Sequence, residues 1–320
     1  MSEDSEIWVG NLMTTAKTAL LRATLALLAT APVAHADLLP AGQDWREIPF
    51  VVVDQKPLLA AKVGDMAGRM MFDTGTPEAV FLNRDAVSLP EGRFLGTGSA
   101  ASGQAIEARL HDAPAVQIAG LPFATAPVVV SGNFEFVEVM FGADYLGFVG
   151  SPAVEGGAFT LDYGRQVLTI LRSSATGALA VPPPEAADVV ARLTFAMMPD
   201  EMPAAGAYIG SLPVVLEFDT GDSGTLYLRA ETRARLAAER LLAVTGEVGI
   251  LASVAFGGAT FDGISVQLVE AGGPMDKRPW PGSDALRLGA DFLSEHPSLW
   301  NFPAGTITFL RPDAAFLAPR

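Results

Sequence analysis

Two aspartates stand at the same point of a repeated string. Phe72-Asp73-Thr74-Gly75 recurs as Phe218-Asp219-Thr220-Gly221, 146 residues later. Each copy is preceded at the same distance by an apolar-Gly pair, Val63-Gly64 and Ile209-Gly210. Each is followed by a second shared string, Gly142-Ala143-Asp144-Tyr145-Leu146 in one half and Gly289-Ala290-Asp291-Phe292-Leu293 in the other. Asp73 to Asp144 spans 71 residues and Asp219 to Asp291 spans 72. Matched spacing of this kind marks an internal duplication that brings one carboxylate per half.

Paired carboxylates can hydrolyse a peptide bond. At a separation of a few ångströms they repel each other too strongly for both to ionise, so they hold one proton between them. The ionised member is a general base for a bridging water, and the protonated member is an acid toward the scissile carbonyl. The two pKa values belong to the pair. The flanking residues suit this task. Gly75 and Gly221 let backbone pass close to a carboxylate and adopt a turn closed to other residues. Thr74 and Thr220 are placed to cross-link the two loops through hydrogen bonds to backbone, and Phe72 and Phe218 to anchor each loop in its own half. Asp73 and Asp219 are thus the candidate catalytic residues, with Thr74, Gly75, Thr76, Thr220 and Gly221 in support. A lone Asp-Thr-Gly would be only a good turn; two copies with matched flanks are not explained that way.

The elements that must hold these residues read as β-strands. Half of the 320 residues are apolar, and 55 Gly and Pro residues (32 and 23) punctuate short runs of Val, Phe, Leu and Thr. Ile48–Val53 and Leu58–Val63 read as strands joined to the next by a Gly64-Asp65 turn, and Asp73 closes the run Arg69–Phe72. Leu95–Gly103 is a Gly- and Ser-rich hairpin tip, and 159–163 with 167–171 forms a closing hairpin. The second half replays this order through Tyr208–Gly210, Val214–Phe218, Val248–Phe256, Thr260–Val269 and Thr306–Leu310. Arg229–Leu242 carries helical spacing. Residues 173–190, with Pro182-Pro183-Pro184, read as a linker. The division is therefore a leader over 1–36, an N-terminal lobe over 37–172, that linker, and a C-terminal lobe over 191–320.

A formal charge of −15 repels phosphate backbones and argues against nucleic-acid binding. The absence of cysteine excludes disulfides, thiolate catalysis and Cys-ligated zinc. At the N-terminus, a short basic stretch (Lys17, Arg22), an apolar run around Leu25–Ala29 and Ala34-His35-Ala36 match a secretory signal cleaved before Asp37. Glu3, Asp4 and Glu6 are foreign to such a segment and point to a start at Met13; an uncleaved membrane anchor is the alternative. The expectation is export, to the periplasm or beyond, with no stable membrane insertion after cleavage.

On these residues the chain resembles the pepsin and retropepsin superfamily of aspartic peptidases, in a bacterial single-chain form. Hydrophobic-Asp-Thr-Gly occurs in each half, followed downstream by a hydrophobic-Gly pair: Phe141-Gly142 and Leu288-Gly289. The resemblance covers nearly the whole mature chain. It implies a mainly β fold of two similar β-barrel-like lobes of the acid-protease type, with a cleft between them and a hairpin flap, here Gly96–Gly103. It implies an aspartic-type endopeptidase acting on extended peptide or protein substrates through Asp73 and Asp219, without cofactor or metal. Both carboxylates come from one chain, which implies a monomer. Three departures stand out. Asp222 occupies the place of Thr76 in the second copy, either facing inward or facing solvent with Ser223 supplying the hydroxyl. No tyrosine lies between Leu82 and Gly142, and Phe94, the nearest aromatic, reads as core. Little chain is left for an inhibitory pro-segment. A catalytically inactive peptide-binding protein on the same fold is the alternative.

Gly221-Asp222-Ser223-Gly224 resembles the nucleophile string of chymotrypsin-like serine peptidases, but neither His111 nor His296 sits in a matching histidine motif. Two separated histidines are weak metal ligands. Asp144 and Asp291 read as structural carboxylates.

Overall fold

Short apolar strands joined by tight turns build the N-terminal half. The strands are β1 (Trp45–Val53), β2 (Lys56–Val63), β3 (Met66–Asp73), β4 (Val80–Asn83), β5 (Arg93–Ser99), β6 (Ala105–Asp112), β7 (Val116–Ile118), β8 (Leu121–Phe123), β9 (Val128–Gly132), β10 (Tyr145–Gly150), β11 (Ala158–Asp162) and β12 (Val167–Leu171), with helix α1 (Glu135–Phe141) before β10. The computed structural model describes residues 38–100, 104–123, 127–198, 202–222, 227–228, 230–246, 248–270, 272–273 and 284–319. The expected leader over 1–36, the hairpin tip at 101–103 and Ser223 lie outside those residues.

The C-terminal half repeats the plan with β13 (Val189–Thr194), β14 (Ala196–Met197), β15 (Pro203–Ile209), β16 (Leu212–Phe218), β17 (Tyr227–Leu228), β18 (Leu242–Thr245), β19 (Val248–Phe256), β20 (Ala259–Leu268), β21 (Ala285–Leu288), β22 (Ser298–Asn301) and β23 (Thr306–Leu310). Among the described residues its helices are α2 (Ala230–Ala238), shorter than the helical spacing predicts, and α3 (Ala290–Glu295). Among the described residues, no helix is long and apolar enough to cross a membrane. The fold is mainly β, of the two-lobed acid-protease type.

Each half delivers its aspartate in the same way. A hairpin (β2–β3, β15–β16) ends at Asp73 or Asp219, and a parallel strand lies beside its second arm: β10 beside β3, β21 beside β16. The register corrects one expectation. Phe218 pairs with Leu288, but Phe72 pairs with Val149 and Asp73 with Gly150. The counterpart of Leu288-Gly289 is therefore Val149-Gly150, not Phe141-Gly142. The shared Gly-Ala-Asp-aromatic-Leu string opens β10 in one half but follows β21 in the other. Packing explains the choice: a Cβ on Gly150 would fall 2.3 Å from the Thr76 carbonyl oxygen, so only glycine lets the strand run under the Asp73 turn.

A run of six neighbouring strands within a larger sheet joins the halves, in the order β13-β23-β22-β11-β12-β1. Its centre is the antiparallel pair β11–β22, with Phe159 opposite Trp300. These two rings stack at 5.4 Å between centroids. Phe72 meets Phe159 edge-on at 5.1 Å, and Phe218 meets Trp300 edge-on at 6.0 Å. The phenylalanines before the two aspartates are thus linked through one relay of four rings, each fully buried. Burial of a side chain of this size contributes about 1.5–3 kcal/mol. The anchoring is shared between the halves, where the sequence suggested a separate anchor in each. Between β12 and β13 the chain makes a bridge (Ser173 with Leu179), passes the three prolines and enters β13 at Val189, inside the stretch read as linker.

Candidate active site

The two Asp-Thr-Gly turns meet face to face and exchange hydrogen bonds. The Thr74 N–H donates to Thr220 Oγ1 at 3.0 Å, and the Thr220 N–H donates to Thr74 Oγ1 at 3.1 Å. Each hydroxyl then donates onward to the backbone of the other half: Thr220 Oγ1 to the Phe72 carbonyl at 2.9 Å, Thr74 Oγ1 to the Phe218 carbonyl at 3.3 Å. Both threonines are fully buried. Four bonds, all across the interface, leave neither turn free to shift without breaking two of them.

This clasp sets the carboxylates side by side, close enough for the Asp219 charge to act on Asp73. Their inner oxygens are held alike: the Gly75 N–H donates to Asp73 Oδ1 at 2.8 Å, and the Gly221 N–H to Asp219 Oδ1 at 2.9 Å. Each glycine also lies against the opposite aspartate. A Cβ on Gly221 would sit 2.3 Å from Asp73 Cγ, and one on Gly75 would sit 2.8 Å from both Asp219 carboxylate oxygens. Neither glycine has a positive φ, so close approach, rather than a turn closed to other residues, is what demands glycine here.

Burial first, and the neighbouring Asp219 charge second, push Asp73 up to about 8, against hydrogen bonds from Thr76 and Gly75 that favour the anion. A carboxyl so placed keeps its proton at neutral pH.

The outer oxygens differ. Asp73 Oδ2 accepts the Thr76 hydroxyl at 2.6 Å. Asp222, which follows the second glycine, is buried and faces inward. In place of a hydroxyl, Nη1 of Arg287 lies 3.0 Å from Asp219 Oδ2 and 3.5 Å from Asp222 Oδ2. The same guanidinium reaches Glu217 Oε2 through Nε at 3.4 Å and Nη2 at 3.2 Å. Burial pushes the Arg287 pKa down, but Asp219, Glu217 and Asp222 together raise it above its ordinary value. The sequence reading missed Arg287 and Glu217. The available signal was a charge in each of two otherwise apolar strands, Leu286-Arg287-Leu288 and Val214-Val215-Leu216-Glu217-Phe218.

The remaining candidates have structural roles. Asp144 accepts both Nε and Nη2 of Arg69, at 2.9 and 2.7 Å, on the surface of β3. The His111 ring nitrogens are taken by the Pro90 carbonyl at 2.9 Å and Ser131 Oγ at 2.7 Å, and His296 lies flat on Phe292. β5 and β6 form the hairpin that carries Gly96–Ser99, and Phe94 on it is 53 % exposed, not core. An irregularity between Phe94 and Gly96 shifts the pairing there.

No protein-family model matches the chain, and no characterised protein matches it by sequence. Among solved structures it is similar to the aspartic proteinase from Irpex lacteus, with a TM-score of 0.54 and 12% identity over 85% of this chain and 98% of that one. At that identity the likeness is one of fold, and it places the backbone of this chain in the architecture of the aspartic proteinases.

Proposed function

We propose that the protein is an aspartic-type endopeptidase that hydrolyses peptide bonds with a water activated by the Asp73/Asp219 pair. The observation that carries this reading is the reciprocal Thr74–Thr220 clasp, which has no purpose in a simple turn and which sets the half-buried Asp73 carboxyl beside the buried Asp219 carboxyl. Burial and the neighbouring Asp219 charge push Asp73 up to about 8, so it keeps a proton at neutral pH that it can offer as the acid. The β5–β6 hairpin serves as the flap over the cleft, Thr76, Gly75 and Gly221 position the carboxylates, and the substrate is an extended peptide or protein segment. The active form is a monomer, exported to the periplasm or beyond after loss of residues 1–36.

The test is cleavage of a mixed peptide library by the chain from Asp37, scanned from about pH 3 to about pH 8, beside Asp73→Ala and Asp219→Ala. Cleavage by the wild type and its loss in both folded variants supports the reading; full activity in either variant overturns it.

One observation favours a second reading. Arg287 occupies the outer oxygen of Asp219, where Asp73 has the Thr76 hydroxyl, so the two halves do not present a matched pair. A peptide-binding protein without catalysis on the same fold would bind a labelled peptide in a stoichiometric complex and leave it intact.

A further inference from the structure

The duplication breaks at three positions that touch one another. The register pair Glu217–Arg287 on β16 and β21 corresponds to Met71–Phe148 on β3 and β10. The third position is Asp222, which corresponds to Thr76. In the N-terminal half, then, an apolar pair and one hydroxyl surround the aspartate. In the C-terminal half, a cation and two carboxylates that hold it do so. Arg287 is only 5 % exposed and Glu217 is fully buried, so the exchange lies inside the protein and not on its rim. A buried guanidinium is costly unless it is paired, and here its Nη1, Nη2 and Nε are all engaged by acids or by the Met202 sulfur at 3.0 Å.

The charges acting on Arg287 are Glu217 from β16 and Asp219 and Asp222 from the turn beyond it. Acting on Asp219 from the other half are Asp73 and the buried Tyr163 hydroxyl, whose ionisation burial and the Asp219 charge both oppose. At the outer oxygen of Asp219 the neighbour is thus a permanent cation in an ion pair at 3.0 Å, while at Asp73 it is a neutral hydroxyl that donates a hydrogen bond. An opposite charge within a few ångströms favours the ionised form of a carboxyl, whereas a neutral hydroxyl adds no such charge.

We propose that Arg287 is a positioning residue that makes the pair asymmetric, localising its single proton on Asp73 and leaving Asp219 as the ionised partner. Glu217 and Asp222 belong to the same device, because they hold the guanidinium in place. This deepens the dyad reading and rests on it for its catalytic meaning: Asp73 becomes the acid toward the carbonyl and Asp219 the base toward water.

Carboxyl carbon NMR of the aspartate-labelled mature protein, titrated from about pH 4 to about pH 9, tests the assignment. Asp73→Asn and Asp219→Asn identify the two resonances. The expected result is that the Asp73 resonance titrates alone, near 8. Parallel movement of both resonances in one shared step overturns the proposal. The triple variant E217M/D222T/R287M rebuilds the C-terminal site on the N-terminal pattern without stranding a buried charge, and there the two resonances should move together. If Asp73 still titrates alone in that variant, Arg287 is merely structural and the proposal is overturned. The wild-type titration stands even if the triple variant does not fold. The readout needs no substrate, so absence of cleavage with a localised proton would count against the peptidase reading and not against the role of Arg287.

Discussion

Thr74 and Thr220 each accept a hydrogen bond from the other's backbone N–H and donate one to the carbonyl that precedes the opposite aspartate. The two residues therefore form one unit, in which removal of either hydroxyl strands a buried N–H and a buried carbonyl in the other half.

Thr74→Ala and Thr220→Ala should each cost about 1–3 kcal/mol of stability. The double variant should cost clearly less than the sum, because the second hydroxyl has already lost its partner's geometry. Urea unfolding of the four proteins checks this, and strict additivity would show that the clasp carries no coupling.

Gly221→Ala should abolish cleavage more completely than it lowers stability. The added methyl lands against the Asp73 carboxyl and must displace it, and Asp73 is a member of the proposed pair. Gly75→Ala, with a looser 2.8 Å approach to the Asp219 oxygens, should be the milder of the two. Comparison of kcat/KM with the melting temperature separates the two effects.

Stability should fall as pH rises through neutrality. Asp73 is raised from 3.8 to about 8, so between those values the folded state holds a proton that the unfolded state has released. Folding is therefore favoured at the acidic end of this window and loses stability toward its upper end, by on the order of a few kcal/mol. Asp73→Asn should flatten that slope. A pH series of denaturation midpoints for the two proteins measures it, and identical slopes would show that Asp73 titrates normally.

Arg287→Met should be among the most damaging single substitutions, at about 3–5 kcal/mol, because it leaves Glu217 and Asp222 as buried acids without their cation. Glu217→Met with Arg287→Met and Asp222→Thr should recover most of that loss, since the N-terminal half shows that the same backbone accepts apolar residues at the paired positions. Thermal melts of the single and triple variants decide the matter.

The aspartates, the clasp threonines and most strands were legible in the chain, because they repeat with their flanks and because a hydroxyl next to a turn glycine has few other uses. The parallel partner of β3 was misread. The five-residue string at Gly142 is a longer match to Gly289 than the bare Val149-Gly150 pair, and only strand register separates them. Arg287 was passed over because its sign is opposite to that of the groups the chemistry needs, and its reach to Asp219 across two strands leaves no spacing signal. The closing hairpin β11–β12 and the strand β23 were readable, but β22 and its pairing with β11 were not, since contact between edges so far apart in sequence is set by the folded halves.

That pairing has a consequence for how the chain is divided. β11 ends one three-stranded run and β22 ends the other, and each finds the hydrogen-bond partner for its second edge only in the opposite half. Cut between β12 and β13, either half would present an open strand edge carrying Phe159 or Trp300, an adhesive edge of the kind that seeks a second strand. Covalent continuity is thus what keeps the seam private: with both edges on one chain, each strand meets its intended neighbour at high effective concentration before it can meet a stranger.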